Sequence, residues 1–302
     1  MDVTVTDAVP AARSCRAIIT STHRARGHGT RVRRPMRAGD SCHACQVTSS
    51  DVWGEETAER YDLDAADLFA PEVLEPTVGL LARLAGAGPA LEMAIGTGRV
   101  AVPLLQRGIP VAGIELSPAM LEQLRSKVDA EALPVVLGDM ATATVAGRFT
   151  LVYLVWNSIS NLRTQDEQAS CFTNAARHLS SGGRFVLELE VPALRRLPPG
   201  QSAVPFDVSE GHLGFDTYDT VTQACTSHHY RRDDRGNVRY SAGHFRYLWP
   251  SECDLMARMA GLELESRYGD WDGRPFTAES EKHVSVWRKP DPPGGDAVFP
   301  RR

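Results

Sequence analysis

The chain has 302 residues, 42% apolar and 24% charged, the balance of a soluble globular protein large enough to bury one core with an elaboration. Its best apolar run, FTLVYLVW at 149–156, stops at Asn157, short of the roughly 20 residues a bilayer-crossing helix needs, so no membrane partner is expected. Residues 1–50 hold eight arginines and three aspartates, a local +5, which leaves −10 on the remainder of a chain whose net charge is −5. An acidic body argues against a nucleic-acid-binding face, which needs clustered Lys and Arg.

Residues 1–50 lack hydrophobic periodicity and are expected to be a disordered extension. They carry a C-x-x-C at Cys42 and Cys45, but no second pair follows at a zinc-finger spacing, so free thiols in a reducing cytoplasm are the expectation. From residue 51 the pattern is regular. EETAERYDLDAADLF reads as a short helical segment, and PEVLEPTVGLLARLAG as an amphipathic helix with Leu74, Val78, Leu81 and Leu84 on one face and Gly86 near its end.

Short apolar runs at 90–95, 110–116, 134–138, 149–155 and 184–191 then alternate with helical spacing at 98–107, 118–128 and 164–180. Strands of this length alternating with helices predict a mostly parallel sheet covered on both faces, a doubly wound α/β fold. After Pro192 the rhythm changes to rough alternation of β-branched and aromatic residues, with a turn at 233–237, which predicts an antiparallel β insertion over 192–249 after strand five. A helix at 250–261 and strands near 262–269 and 283–289 complete the domain at 51–289, and the Pro/Gly-rich tail 290–302 is expected to be flexible.

The stretch LEMAIGTGRVA, 91–101, reads as a strand, a glycine turn and a helix start, the arrangement that presents backbone N–H groups to a bound nucleotide. From Gly96 it fits the dinucleotide pattern G-x-G-x-x-G/A with Ala101 last; from Glu92 it fits a loop for S-adenosylmethionine (SAM). Glu115, 19 residues after Gly96 at the end of the second strand, can accept ribose hydroxyl protons in either case. Three features favour SAM. Glu92 puts a carboxylate where an ammonium and a sulfonium would be attracted; Ser117-Pro118 starts a helix after strand two; and GDM at 138–140 offers Asp139 and the Met140 N–H to an adenine edge.

In this order and spacing LEMAIGTGR, VAGIELSPAML, VVLGDM, FTLVYLVWNSISNL and HLSSGGRFVLEL resemble the class I SAM-dependent methyltransferases, over roughly 53–289. The resemblance implies a Rossmann-like seven-stranded sheet and a cofactor site of Tyr61, Glu92, Ala94, Gly96, Thr97, Gly98, Arg99, Glu115, Leu116, Met120, Asp139, Met140 and Val155. The family's loop is E-x-G-x-G-x-G, and Ala94 replaces its first glycine, which adds a methyl near the cofactor. ERYD at 59–62 and NSISNL at 157–162 look like small-molecule methyltransferases of bacterial natural-product pathways, several of which act at nitrogen; there the tyrosine matching Tyr61 closes over the SAM pocket, and some amino-sugar enzymes carry histidine in place of Asn161.

The expected reaction is methyl transfer to a small-molecule acceptor, an amine favoured over a hydroxyl. The alternatives are an NAD(P)-linked oxidoreductase or a SAM-binding protein without turnover. Tyr61, His228 and His229 are the catalytic candidates, with at most one of the two adjacent histidines facing inward, since strand residues alternate faces. Trp156, Asn157, Asn161 and His244 are candidates to line the acceptor site. Strand four ends in Trp156, Asn157 and Ser158 rather than a carboxylate, so no metal is expected; a homo-oligomer is compatible with the sequence, which carries no signal either way.

Overall fold

The computed structural model describes residues 53–233 and 235–291; the N-terminal extension with its C-x-x-C and the tail after Asp291 lie outside them. Seven strands form one sheet: β1 (Ala90–Met93), β2 (Val111–Glu115), β3 (Val135–Leu137), β4 (Phe149–Leu154), β5 (Leu179–Glu190), β10 (Glu263–Tyr268) and β11 (Lys282–Arg288). Their order is β10-β11-β5-β4-β1-β2-β3, with β1 to β5 parallel and β11 antiparallel to both its neighbours. The chain runs outward from β1 on one side through β2 and β3, and on the other through β4 and β5. That reversal opens a crevice at the carboxyl ends of β1 and β4.

Helices cover both faces. On one lie α2 (Pro71–Ala85), α3 (Ala101–Gln106) and α4 (Pro118–Arg125), which bury Val78, Leu81, Leu104 and Leu124 against Tyr153 and Val186. On the other lie α5 (Gln165–His178) and α6 (Pro250–Met259), where Phe172 packs edge-on against Phe185 and Trp287. α5 starts at a capping box in which the Thr164 hydroxyl and the Glu167 carboxylate satisfy each other's backbone amides. Each helix offers a single apolar face, so the sheet between them is the only place that face can be buried.

The insertion is a second, four-stranded antiparallel sheet, β6 (Ala203–Val208), β7 (His212–Tyr218), β8 (Ala224–Arg232) and β9 (Val238–Arg246), in that spatial order. It roofs the crevice rather than extending an edge of the main sheet. A buried cluster fixes it there: Arg246, at the end of β9, pairs with Glu252 of α6 at 2.8 Å and donates to Gln168 of α5 and Gln223 before β8. Beneath the roof lies α1 (Glu55–Asp64), the short leading helix. Among the described residues no helix is long and apolar enough to cross a membrane.

Candidate active site

β1 ends at Met93, and the turn that follows passes through Ala94, Gly96 and Gly98 at φ 57°, 58° and 82°. Such left-handed backbone costs a residue with a Cβ about 1–2 kcal/mol and glycine almost nothing. A Cβ on Gly96 would meet no protein atom within 4 Å, and Gly96 lines the crevice, so its bareness keeps that space open. A Cβ on Gly98 would fall 2.4 Å from Leu124 Cδ1, so this glycine lets the turn pack against α4. Ala94 lines the crevice as well, and it is an L-residue held at positive φ.

Glu115 closes β2. Its Oε2 accepts from the Gly96 amide at 2.7 Å and its Oε1 from the Ser117 amide at 2.8 Å, so one carboxylate ties the glycine turn to the start of α4. Burial raises its pKa and the backbone hydrogen bonds act the other way. Asp139, after β3, accepts from the Ala141 amide at 2.7 Å. Glu115 and Asp139 line the crevice together with Leu116, Met120 and Met140.

The structure does not bring Glu92 to this surface. Its side chain lies on the α2 side of β1, opposite Tyr153 of β4, whose hydroxyl donates to Glu92 Oε2 at 2.9 Å. Burial pushes the Glu92 carboxyl up to about pKa 8, against the opposing pull of that hydrogen bond and of the Arg99 charge. A carboxyl so placed underpins the turn instead of lining the crevice. Thr97, Gly98 and Val155 also stand behind the lining, and Arg99 lines an adjoining cavity that shares Trp156, Glu190 and Val191 with the crevice. The Thr97 hydroxyl donates to Asp62 at 2.6 Å, Asp62 pairs with Lys127, and Arg99 lies 5.4 Å above the Trp156 ring.

The opposite wall is built where β4 ends. Trp156 and Asn157 both adopt positive φ, 59° and 56°, and this reverse bend is held from β5: Glu188 accepts from the Trp156 amide at 3.0 Å, and Asn157 Oδ1 accepts from the Glu190 amide at 2.7 Å. Trp156, Asn157 and Asn161 line the crevice, as does Tyr61 of α1, which meets Trp53 edge-on at 5.8 Å. Burial pushes the Tyr61 phenol up in pKa.

The roof contributes Tyr218, Cys225, Ser227, Phe245 and Tyr247, none of which was singled out from the sequence. The signal was present as alternation: 225 and 227 share a face of β8, which leaves 226 and 228 on the other. His228 therefore points away from the crevice, bonded to Tyr240 and Thr217 and stacked on Phe215, and does not fit a base role there. His244 fails likewise: Gly243 and Phe245 face inward, and His244 pairs with Thr226 on the outer face at 3.2 Å. His229 is buried on the inner face but one step behind the lining, with Nε2 3.2 Å from Ser227 Oγ.

A doubly wound sheet of this order, with a glycine turn after its first strand, an acid ending the second and an aspartate after the third, defines a SAM-dependent methyltransferase. The family described as "Methyltransferase domain" matches residues 90–183. The structure is similar to that of the CcbJ methyltransferase from Streptomyces caelestis, with TM-score 0.71 and 34% identity over 81% of this chain and 99% of that one. A cypemycin N-terminal methyltransferase from a Streptomyces species is 28% identical over 252 residues, 80% of this chain and 98% of the relative. SAM-bound CalS10, an amino pentose methyltransferase from Micromonospora echinaspora, shares the fold with TM-score 0.59 and 20% identity over 75% of this chain and 96% of that one. The chain belongs to the SAM-dependent methyltransferases, and SAM is its cofactor. The NAD(P) oxidoreductase and the binding protein without turnover are set aside with that assignment.

Proposed function

We propose that the chain methylates an amine nitrogen of a small natural-product molecule. The observation that carries the reading is that Glu115 and Asp139 share one crevice with a roof of Tyr218, Phe245 and Tyr247, a polar cofactor end facing an aromatic acceptor end. One relative favours nitrogen, the cypemycin N-terminal methyltransferase. Bound SAM supplies a methyl carbon made electrophilic by its sulfonium.

In this reading Glu115 receives the ribose hydroxyls, Asp139 and the Met140 N–H meet the adenine edge, and Leu116 and Met120 flank the ring. The Ala94 and Gly96 backbone faces the methionine part, and Tyr61 covers it. Trp156, Asn157 and Asn161 bound the acceptor side. The chain's main contribution is orientation of the acceptor and the methyl group in the crevice, which can lower a barrier by about 7–11 kcal/mol in favourable cases. The amine must also lose its proton before it can react.

The test is label transfer from methyl-tritiated SAM to a peptide with a free α-amine, a TDP-linked amino sugar and a matched set of phenols. Label on an amine supports the reading. Label on phenols alone overturns nitrogen as the acceptor atom, and no label on any of them, with SAM binding intact by calorimetry, overturns the small-amine assignment.

A further inference from the structure

Behind the roof's inner surface runs a chain of polar side chains that the reading above leaves unused. Ser227 lines the crevice, and its Oγ lies 3.2 Å from His229 Nε2. His229 Nδ1 is 3.0 Å from His212 Nε2, and the two rings are parallel within 3° at 5.2 Å. His212 Nδ1 is 2.6 Å from Asp207 Oδ2. The Asp207 side chain is 39% exposed and that of His212 16%, so the series begins at the acceptor side of the crevice and ends in solvent.

The polarity of the series follows from its outer end. A carboxylate can only accept, so Asp207 takes the Nδ1–H of His212, and with that ring singly protonated its Nε2 carries no proton. The bare Nε2 must then accept Nδ1–H from His229, which bares His229 Nε2 to accept the Ser227 hydroxyl. Every proton in the row points toward solvent, and the Ser227 oxygen keeps a lone pair for a donor in the crevice. With each ring singly protonated, no other pair of tautomers makes all three hydrogen bonds.

We infer that Ser227, His229, His212 and Asp207 form a proton wire that carries the acceptor's proton from the crevice to solvent. The inference rests on the amine reading, in which a substrate ammonium must be discharged. The ammonium N–H is donated to Ser227 Oγ as the Ser227 proton passes to His229 Nε2. The His229 Nδ1 proton then passes to His212 Nε2, and the His212 Nδ1 proton to Asp207. The amine is left with its lone pair, the wire holds one added proton on Asp207, and water removes it. Ser227 is the group that touches the acceptor; the histidines act through it.

Phe206 of β6 packs on both rings at 6.1 and 5.3 Å, and Gly214 and Ser241 stand across from His229 on β7 and β9. Asp216, opposite Ser227, is held by the Tyr218 hydroxyl at 3.2 Å. Arg231 feels Asp207 together with Asp64 and Arg60 of α1, and its own pKa is lowered chiefly by burial. Arg239, across from Arg231, lies 3.9 Å from Glu56.

Two measurements test the wire. Long-range ¹H–¹⁵N spectra of the uniformly labelled full chain at pH 8 should show both His212 and His229 protonated at Nδ1 and bare at Nε2; an Nε2–H tautomer on either ring overturns the wire whether or not any acceptor is turned over. With whichever amine of the panel takes up label, Ser227→Ala and His212→Asn should bind SAM normally and lose on the order of 10²-fold in kcat at pH 6, the low end for general-base catalysis. The loss should shrink as pH rises and the amine arrives already deprotonated. A kcat–pH profile parallel to wild type overturns the inference. Failure of every amine in the panel overturns the amine reading instead, with the tautomers still deciding the wire.

Discussion

The Tyr153 hydroxyl donates to Glu92 Oε2 at 2.9 Å between two adjacent parallel strands, with both side chains shut away from water. Burial holds the Glu92 carboxyl at about pKa 8, above its ordinary value of 4.5. Between those two values the folded chain keeps a proton that the unfolded chain has released, so this residue's contribution falls as pH rises across that window, by at most about 1.4 kcal/mol per pH unit. Glu92→Gln keeps an acceptor for Tyr153 and removes the titration. Urea unfolding at pH 5 and pH 8 should show a smaller loss of stability in the variant than in wild type; equal losses would mean that Glu92 is ionised throughout.

Ala94 holds φ 57° where glycine would be relaxed. Ala94→Gly removes about 1–2 kcal/mol of backbone strain and returns roughly 0.5–1 kcal/mol through the greater freedom of the unfolded chain. The expected result is a gain of up to about 1.5 kcal/mol, read as a higher melting temperature. A lower one would show that the alanine methyl packs productively.

Glu115 accepts from two backbone amides, those of Gly96 and Ser117. Glu115→Ala should weaken SAM binding by roughly 1–3 kcal/mol, because charge-assisted hydrogen bonds are lost and the glycine turn loses its tether. Isothermal titration calorimetry with SAM measures this directly, and an affinity equal to wild type would remove Glu115 from the cofactor site.

Arg246 and Glu252 form a largely buried pair, and Arg246 also donates to Gln168 and Gln223. Glu252→Ala strands a buried guanidinium and should cost about 3–5 kcal/mol. Burial alone would raise the Glu252 pKa, yet hydrogen bonds from Gln223, Arg246 and Gln165 bring it below its ordinary value. The stability it adds is therefore full above the ordinary carboxylate pKa and disappears as pH falls through the lowered one. Thermal melts from pH 6 to pH 3 should show a steeper acid decline in wild type than in Glu252→Ala.

The parallel strands were readable because a strand packed between two helical layers appears as a short apolar run, and β1 to β4 fall inside the expected spans. β5 is longer than expected, since LSSGG hides its beginning at Leu179 behind polar residues and a left-handed Gly182. Glu92 was misplaced for a reason of pleat: its neighbours Leu91 and Met93 face α5 and α6, which turns Glu92 to the other side of β1, away from the lining. The roof was visible as alternating residues, but alternation gives two faces without saying which one looks inward. That single bit separates His229 from His228. The Ser227 to Asp207 row also depends on how β6, β7 and β8 align, a register that no local pattern encodes.

The floor of the crevice is drawn from Trp53, Tyr61, residues between Ala94 and Leu162 and the end of β5, and its ceiling from residues between Tyr218 and Leu248, joined to the floor's helices through a few polar side chains around Arg246. The Glu115 end of the crevice and its ceiling thus occupy separate stretches of chain. A ceiling borrowed from a relative, with Arg246, Gln223 and Glu252 retained, could present a different chamber to incoming molecules while every hydrogen bond at the Glu115 end stayed as it is.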